Sequence, residues 1–254
     1  MAFTEEGRAW LAQNYPNLRC ILDGELATIE GQFDFIAAYG EQQKRYVINP
    51  NSQHETLHII QDSYQIKITF PSGKPEYPKV WEIGGRLQEV AKKTRKRPED
   101  LHIIPVDGSL CLVGLFDIQL DITLQEYFDG PLLQFFYDQS YFERHGKWVR
   151  GEYSHGTLGI LENYFDKVQE GFELANECLT ILFRYNAIEP LTLIFRGTKV
   201  PGHHLCFCKS GKRLRDCHMK VLQGLRHLQS YVSKDPSIRC NEIYKKLLSL
   251  GRRT

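Results

Sequence analysis

In Tyr64 to Pro71, YQIKITFP, the side chains Tyr64, Ile66, Ile68 and Phe70 alternate with Gln65, Lys67 and Thr69. That period of two is the pattern of a strand with one buried face. Residues 25–39 and Glu55–Gln61 show the same aromatic and β-branched richness between Gly, Pro, Asn and Ser positions, and the three segments together predict an antiparallel meander. Thr4 to Tyr15 predicts a short first helix with Thr4 as its cap, Glu5 and Glu6 in the first turn and Trp10 and Leu11 as anchors, ending at Pro16. Arg86–Arg97 predicts a helical excursion whose Lys92–Arg97 run reads as a solvated end. The capping-box sequence Thr123-Leu-Gln-Glu126 predicts a helix from Leu124 towards Gln139, interrupted at Gly130 and Pro131. Apolar residues recur near the helical period from Leu158 to Arg184, predicting one long helix with Cys178 as a small buried hydrophobe on its stripe. Leu191–Phe195 predicts a short strand, and Ile243–Leu250 a terminal helix.

Composition narrows this to a globular α+β protein. The chain has 254 residues, 42% hydrophobic and 25% charged, which excludes disordered and collagen-like classes and fits one large domain or two smaller ones. The net charge of +1 conceals an asymmetry. Residues 1–195 carry 18 basic against 28 acidic side chains, while residues 196–254 carry 14 against 3, so an acidic body precedes a basic segment. The opening MAFTEEGRAWLAQNY has acids where an export signal needs bases, and no apolar run reaches membrane-spanning length, so a cytoplasmic, reducing location is expected. In that setting the seven cysteines point to metal binding or catalysis before disulfides.

Three of those cysteines fall within twelve residues, in Cys206-Phe-Cys208-Lys-Ser-Gly-Lys-Arg-Leu-Arg-Asp-Cys217-His218. Three thiolates and an imidazole close a tetrahedral shell, the pattern of a structural zinc site made by Cys206, Cys208, Cys217 and His218. Gly211 permits the tight return between the ligand pairs, and Lys209, Lys212, Arg213 and Arg215 offset the negative charge of three thiolates. His203 and His204 are alternative ligands that read as solvent-facing. The spacing resembles the SEC-C zinc motif, Cys-x-Cys-x-Ser-Gly-Lys followed by Cys-His, over about fifteen residues. That resemblance implies a zinc-stabilised module for docking onto proteins or ribonucleoprotein.

Cys111 lies in Asp107-Gly-Ser-Leu-Cys111-Leu112 and taken alone reads as a buried structural cysteine. Its neighbours give it another meaning. A first helix, a meander ending in Phe70-Pro71, then Tyr77-Pro78-Lys79-Val80, His102, Gly108-Ser-Leu-Cys111-Leu112 and a capped helix at Thr123 occur in the order that resembles the ubiquitin-conjugating enzyme family, over roughly residues 1–150. The likeness extends to divergent bacterial members of ubiquitin-like conjugation and cyclic-oligonucleotide anti-phage systems. His102 is followed by Ile103 and Ile104, so the asparagine of the family's His-Pro-Asn motif has no counterpart here.

The resemblance implies a conjugating domain at 1–153, a helical extension at 154–195 and a basic zinc module with a terminal helix at 196–254. It also implies a cytoplasmic transferase that carries a protein C-terminus as a thioester on Cys111 and passes it to an amine or thiol. The carried protein would be, for instance, a ubiquitin-like protein or a cyclic-nucleotide synthase. Neither nucleic acid nor membrane is an expected partner. His102, His145 and His155 are candidate acid–base groups because imidazole titrates near neutrality, and His155, in a Gly-bounded loop after Trp148, is the foremost. Two other readings stand beside this one: a non-catalytic adaptor of the same fold, and a nucleic-acid adaptor acting through the basic segment.

Overall fold

A computed structural model describes residues 4–23, 26–41, 44–50, 58–70, 77–118, 121–168, 172–196 and 198–234. The chain divides into two compact units, residues 1–113 with 117–152 and residues 114–116 with 153–254.

In the first unit, the Thr4 hydroxyl accepts the Gly7 N–H and starts helix α1 (Glu5–Asn14). An antiparallel sheet follows: β1 (Leu18–Asp23), β2 (Leu26–Gly40), β3 (Arg45–Ile48), β4 (His58–Phe70) and β5 (Lys79–Glu82). Its order is β1-β2-β4-β5, with β3 paired to the end of β2. The β2–β4 register runs from Ala27 opposite Phe70 to Tyr39 opposite His58, so the alternating apolar residues of both strands share one face. Gly31 interrupts the series for a local reason. Its φ of +139° lies outside the ordinary strand region, and a Cβ there would collide with the Asn17 carbonyl.

Helices α2 (Arg86–Thr94), α3 (Leu124–Tyr127) and α4 (Leu133–His145) complete the unit. The capping box is formed, with Thr123 and Glu126 each taking the other's backbone N–H. A wider turn at Phe128–Leu132 around Gly130 and Pro131 separates α3 from α4, as their chemistry predicts. Buried Phe33 and Tyr64 meet Phe136 at ring separations of 5.6 and 4.6 Å, so the sheet and α4 share an aromatic core.

The two strands predicted on either side of residues 62 and 63 are one continuous strand, β4. Asp62 falls on its inner face, where a lone carboxylate would disrupt the strand. Arg86 at the start of α2 satisfies it with bonds of 2.7 and 2.8 Å, and the Arg86 guanidinium also reaches Glu143 on α4 at 2.7 Å. Burial alone would raise the Asp62 carboxyl, but hydrogen bonds from Arg86, Ser140 and the Ser63 N–H outweigh it and bring its pKa to about 2.

The second unit is helical: α5 (Thr157–Lys167), α6 (Ala175–Arg184), α7 (Ile188–Phe195), α8 (Leu214–Cys217) and α9 (Met219–Lys234). Two expectations are corrected here. The predicted single helix from Leu158 to Arg184 is two, because the backbone is extended at Val168; its apolar period persists because both pieces face one core. Leu191–Phe195 is helical, with Pro190 in the first turn, where its missing N–H costs nothing. Cys178 is fully buried, as its stripe position implies. Gly224 lets α9 approach α5, since a Cβ there would come within 2.9 Å of the Leu161 carbonyl.

The helical extension and the Cys/His segment share one apolar cluster. Leu161 and Leu182 belong to it, as do Cys206, Leu214 and Val221. Gln229 of α9 takes the Val200 N–H at 3.0 Å and gives its own N–H to the Thr198 carbonyl at 2.5 Å, fixing the chain that enters that segment. The predicted helix at Ile243–Leu250 lies outside the described residues.

Candidate metal centre and thiol site

The Cys/His segment closes on itself through its backbone. Leu205 bridges Arg213, the Cys206 N–H bonds to the Lys212 carbonyl at 2.8 Å, and the Lys209 N–H bonds to the Cys206 carbonyl at 3.1 Å. Lys209 and Gly211 take positive φ values of 60° and 74°, so the chain reverses within five residues and returns the second ligand pair to the first. α8 then presents Cys217 at its last position, with His218 as its cap.

The ligand atoms of Cys206, Cys208, Cys217 and His218 all lie within 4.8 Å of one another. Cys206 Sγ is 3.0 Å from His218 Nδ1, and Cys208 Sγ is 3.5 Å from Cys217 Sγ. A tetrahedral metal with bonds of about 2.3 Å holds its sulfurs about 3.7 Å apart, so these four residues can bind a metal ion. The local field already favours one thiolate. The Ser210 hydroxyl and backbone N–H, with the neighbouring cysteines, bring Cys208 down to about 6, whereas burial pushes Cys206 up to about 12. Ser210, 3.1 Å from Cys208 Sγ and 3.4 Å from Cys217 Sγ, is a supporting residue that the ligand pattern alone did not single out. His203 is exposed, and the His204 ring is engaged by the Leu205 carbonyl at 2.7 Å; neither belongs to the cluster.

Cys111 stands at the base of a small hairpin in the first unit. Its N–H bonds to the His102 carbonyl at 2.8 Å, Ile103 bridges Leu110, and the Ile104 N–H bonds to the Ser109 carbonyl at 2.7 Å. The Leu110 N–H reaches Val80 on β5 at 2.7 Å, joining the hairpin to the sheet edge. Asp107 secures the turn. Its carboxylate accepts Lys79 Nζ at 2.8 Å, the Ser109 hydroxyl at 2.6 Å and the Ser109 N–H at 3.0 Å, and these bonds, Lys79 foremost, hold it well below the usual carboxylate range. Trp81 donates its indole N–H to the Asp107 carbonyl at 3.0 Å. Lys79 and Asp107 are polar residues 28 positions apart, and nothing in the local pattern of either announces the pairing.

Cys111 is exposed, which corrects the buried reading of the Leu-Cys-Leu triplet taken alone. Its thiol lies 3.5 Å from the Val113 carbonyl as donor, and the protein packed about the sulfur raises its pKa. His102 is thus brought to Cys111 through the backbone. Its ring meets Trp148 edge-on at 5.3 Å, and its Nε2 is 3.9 Å from a Glu152 carboxylate oxygen. His145 is the last residue of α4, its ring 4.3 Å from Tyr141 and 5.5 Å from His58. His155 belongs to the second unit, exposed and next to Ser154, whose N–H is taken by Glu162 at 2.7 Å.

Among the described residues, no helix is long and apolar enough to cross a membrane. No protein-family model, curated protein or solved structure matches the chain.

Proposed function

We propose that the chain is a ubiquitin-conjugating-like acyl carrier, with Cys111 as the thioester-forming residue and a structural zinc ion at Cys206, Cys208, Cys217 and His218. The observation that carries the first part is an exposed cysteine residue on a backbone fixed from two sides, by the His102 carbonyl and, through Leu110, by β5. The α1, antiparallel sheet, thiol hairpin and α3–α4 succession supports it. The soft donor set, and a count of four protein ligands that fills a tetrahedral shell, support zinc in a structural role.

The chemistry is acyl transfer. The Cys111 thiolate attacks an activated C-terminal carbonyl, a C–S bond forms, and the donor's thiol or adenylate leaves. An amine then attacks the carbonyl carbon, a C–N bond forms, and the Cys111 thiolate departs. Because the surrounding protein raises the Cys111 pKa, the thiolate fraction near pH 7 is small and loading accelerates as pH rises towards that pKa, about tenfold per unit. The Gly-Gly peptide thioester of a small mercaptan serves as the probe. Cys111 should take up the acyl group in a thiol-reversible form, Cys111→Ser should hold a thiol-resistant ester, and Cys111→Ala should stay unmodified. Equal acylation of wild type and Cys111→Ala would remove the proposal.

A further inference from the structure

The two ends of the sheet in the first unit differ in how they are finished. At β5, Leu110 gives its N–H to the Val80 carbonyl at 2.7 Å, Trp81 bonds to the Asp107 carbonyl and Lys79 pairs with the Asp107 carboxylate. The hairpin that carries Cys111 thus covers that edge. At the other end of the strand order, β1 pairs with β2 alone, and its second side has no strand partner among the described residues. Proteins blunt such edges with proline, lysine, a bulge or a covering segment, because a row of unpaired N–H and C=O groups is a template for another strand. The sequence of β1, LRCILD, holds neither proline nor lysine, and it follows β2 in unbroken register from Leu18 opposite Gly31 to Asp23 opposite Leu26.

Its side chains are as open as its backbone. Ile21 is 52% exposed and Leu22 53%, and as successive residues of a strand they stand on opposite faces. Arg19 and Asp23 share the face of Ile21, and both are exposed. Arg19 lies opposite Glu30 on β2, yet neither Arg19 nor Asp23 forms an ion pair among the described residues.

An antiparallel copy of this strand matches it in one register. With Ile21 of one copy opposite Ile21 of the other, Arg19 falls opposite Asp23 at both ends, and Cys20 falls opposite Leu22 on the second face. Directly opposed residues share a face, with Cβ atoms about 5 Å apart. A slip of one residue would set Arg19 opposite Leu22, or Asp23 opposite Cys20, and both ion pairs would be lost.

We propose that β1 is a self-association edge: two copies of the chain pair their β1 strands antiparallel about a two-fold axis at Ile21 and join their sheets into one. The partner is a second copy because the strand is its own complement, charge for charge and apolar residue for apolar residue. The Cys111 hairpin lies on the opposite edge of the sheet and stays clear of the contact, so the dimer does not depend on the acyl-carrier reading. One strand pair is small beside a permanent interface, so association depends on concentration.

Sedimentation velocity of the full chain from about 1 µM to about 500 µM reads the equilibrium, and wild type should pass from monomer to dimer within that range. Arg19→Asp and Asp23→Arg each set like charges opposite one another at both ends, and each should weaken the dimer by about tenfold or more. Both side chains are exposed, so neither substitution enters the core. An equimolar mixture of the two variants should recover the dimer, because each copy supplies the charge that the other lacks. A wild type that stays monomeric throughout the range overturns the proposal. So does a dimer that survives both single variants, or one that the mixture fails to restore. A second readout needs no variant: amide exchange in β1 of wild type should slow as the protein is concentrated, and protection that ignores concentration overturns the pairing.

Discussion

The two cysteine sites are held in place by different means. Cys111 sits on a hairpin secured by backbone bonds to His102 and β5 and by the Asp107 bonds, above a core of sheet and helix that includes Ile66, Phe128 and Phe136. Cys206 and Cys208 sit on a loop closed by a few backbone bonds and Cys217 on the last position of α8, and the sulfurs lie close to one another. A lone exposed thiol needs a rigid support that exists before any partner arrives. A cluster of thiols brought within bonding distance needs a cation to relieve the repulsion that follows their ionisation. The first site is fixed by its own backbone, whereas the second can be filled by a metal ion.

Metal removal should separate them most widely. Chelation, or Cys206→Ser with Cys208→Ser, should abolish cooperative protection of amides in Leu205–His218 and loosen α9, because the binding free energy of a structural zinc site is on the order of 10 kcal/mol. Amide exchange in β2 and β4 should stay slow. Loss of protection in both units would show that the first site also depends on the metal.

The reverse perturbation is smaller. Phe136→Ala removes a fully buried ring between the sheet and α4 and should destabilise the first unit by about 3–5 kcal/mol, with bound metal unchanged. Urea unfolding followed by intrinsic fluorescence, with metal content measured alongside, reads both.

Acid should act on the first unit through Asp62. Its folded pKa is depressed to about 2, below the unfolded value near 4, so its contribution is complete above about pH 5 and is lost as pH falls towards 2. The expected loss is about 2 kcal/mol, and Asp62→Asn should flatten that part of the stability curve. A curve of the same slope in the variant would place the acid sensitivity elsewhere.

The smallest effect is expected at the proposed reactive residue itself. Cys111→Ala should change stability by less than about 0.5 kcal/mol, since the side chain is exposed. Cys178→Ala, at a fully buried position, should cost more, by about 1 kcal/mol. Thermal unfolding of the two variants side by side tests the contrast.

Much of this was legible where a local pattern and its structural cause coincide. Thr123 and Glu126 satisfy each other's backbone, the alternation from Tyr64 to Phe70 is the pleat of one strand, and the four candidate metal ligands are close in sequence, joined by one loop and α8. What escaped notice depends on partners distant in sequence. Asp62 and Ser63 look like a break in β4 until Arg86, 24 residues on, neutralises the carboxylate. Leu191–Phe195 is a run of four apolar residues around Thr192 whose period cannot tell a strand from a buried helix, and packing decided it. Glu152 carries no signal of its own, because its place beside His102 is set by Trp148 and Arg150.

The central claim, that Cys111 carries an acyl group, is tested most directly on protein isolated from the cells that make it, alkylated at once and kept free of reductant. Intact-mass spectrometry should show a fraction of the chain bearing a protein-sized adduct that a thiol reagent releases, with the modification mapped to Cys111 and absent from Cys111→Ala. A wild-type chain whose Cys111 is always free or alkylated, with no releasable adduct at any cellular growth stage, would contradict the account.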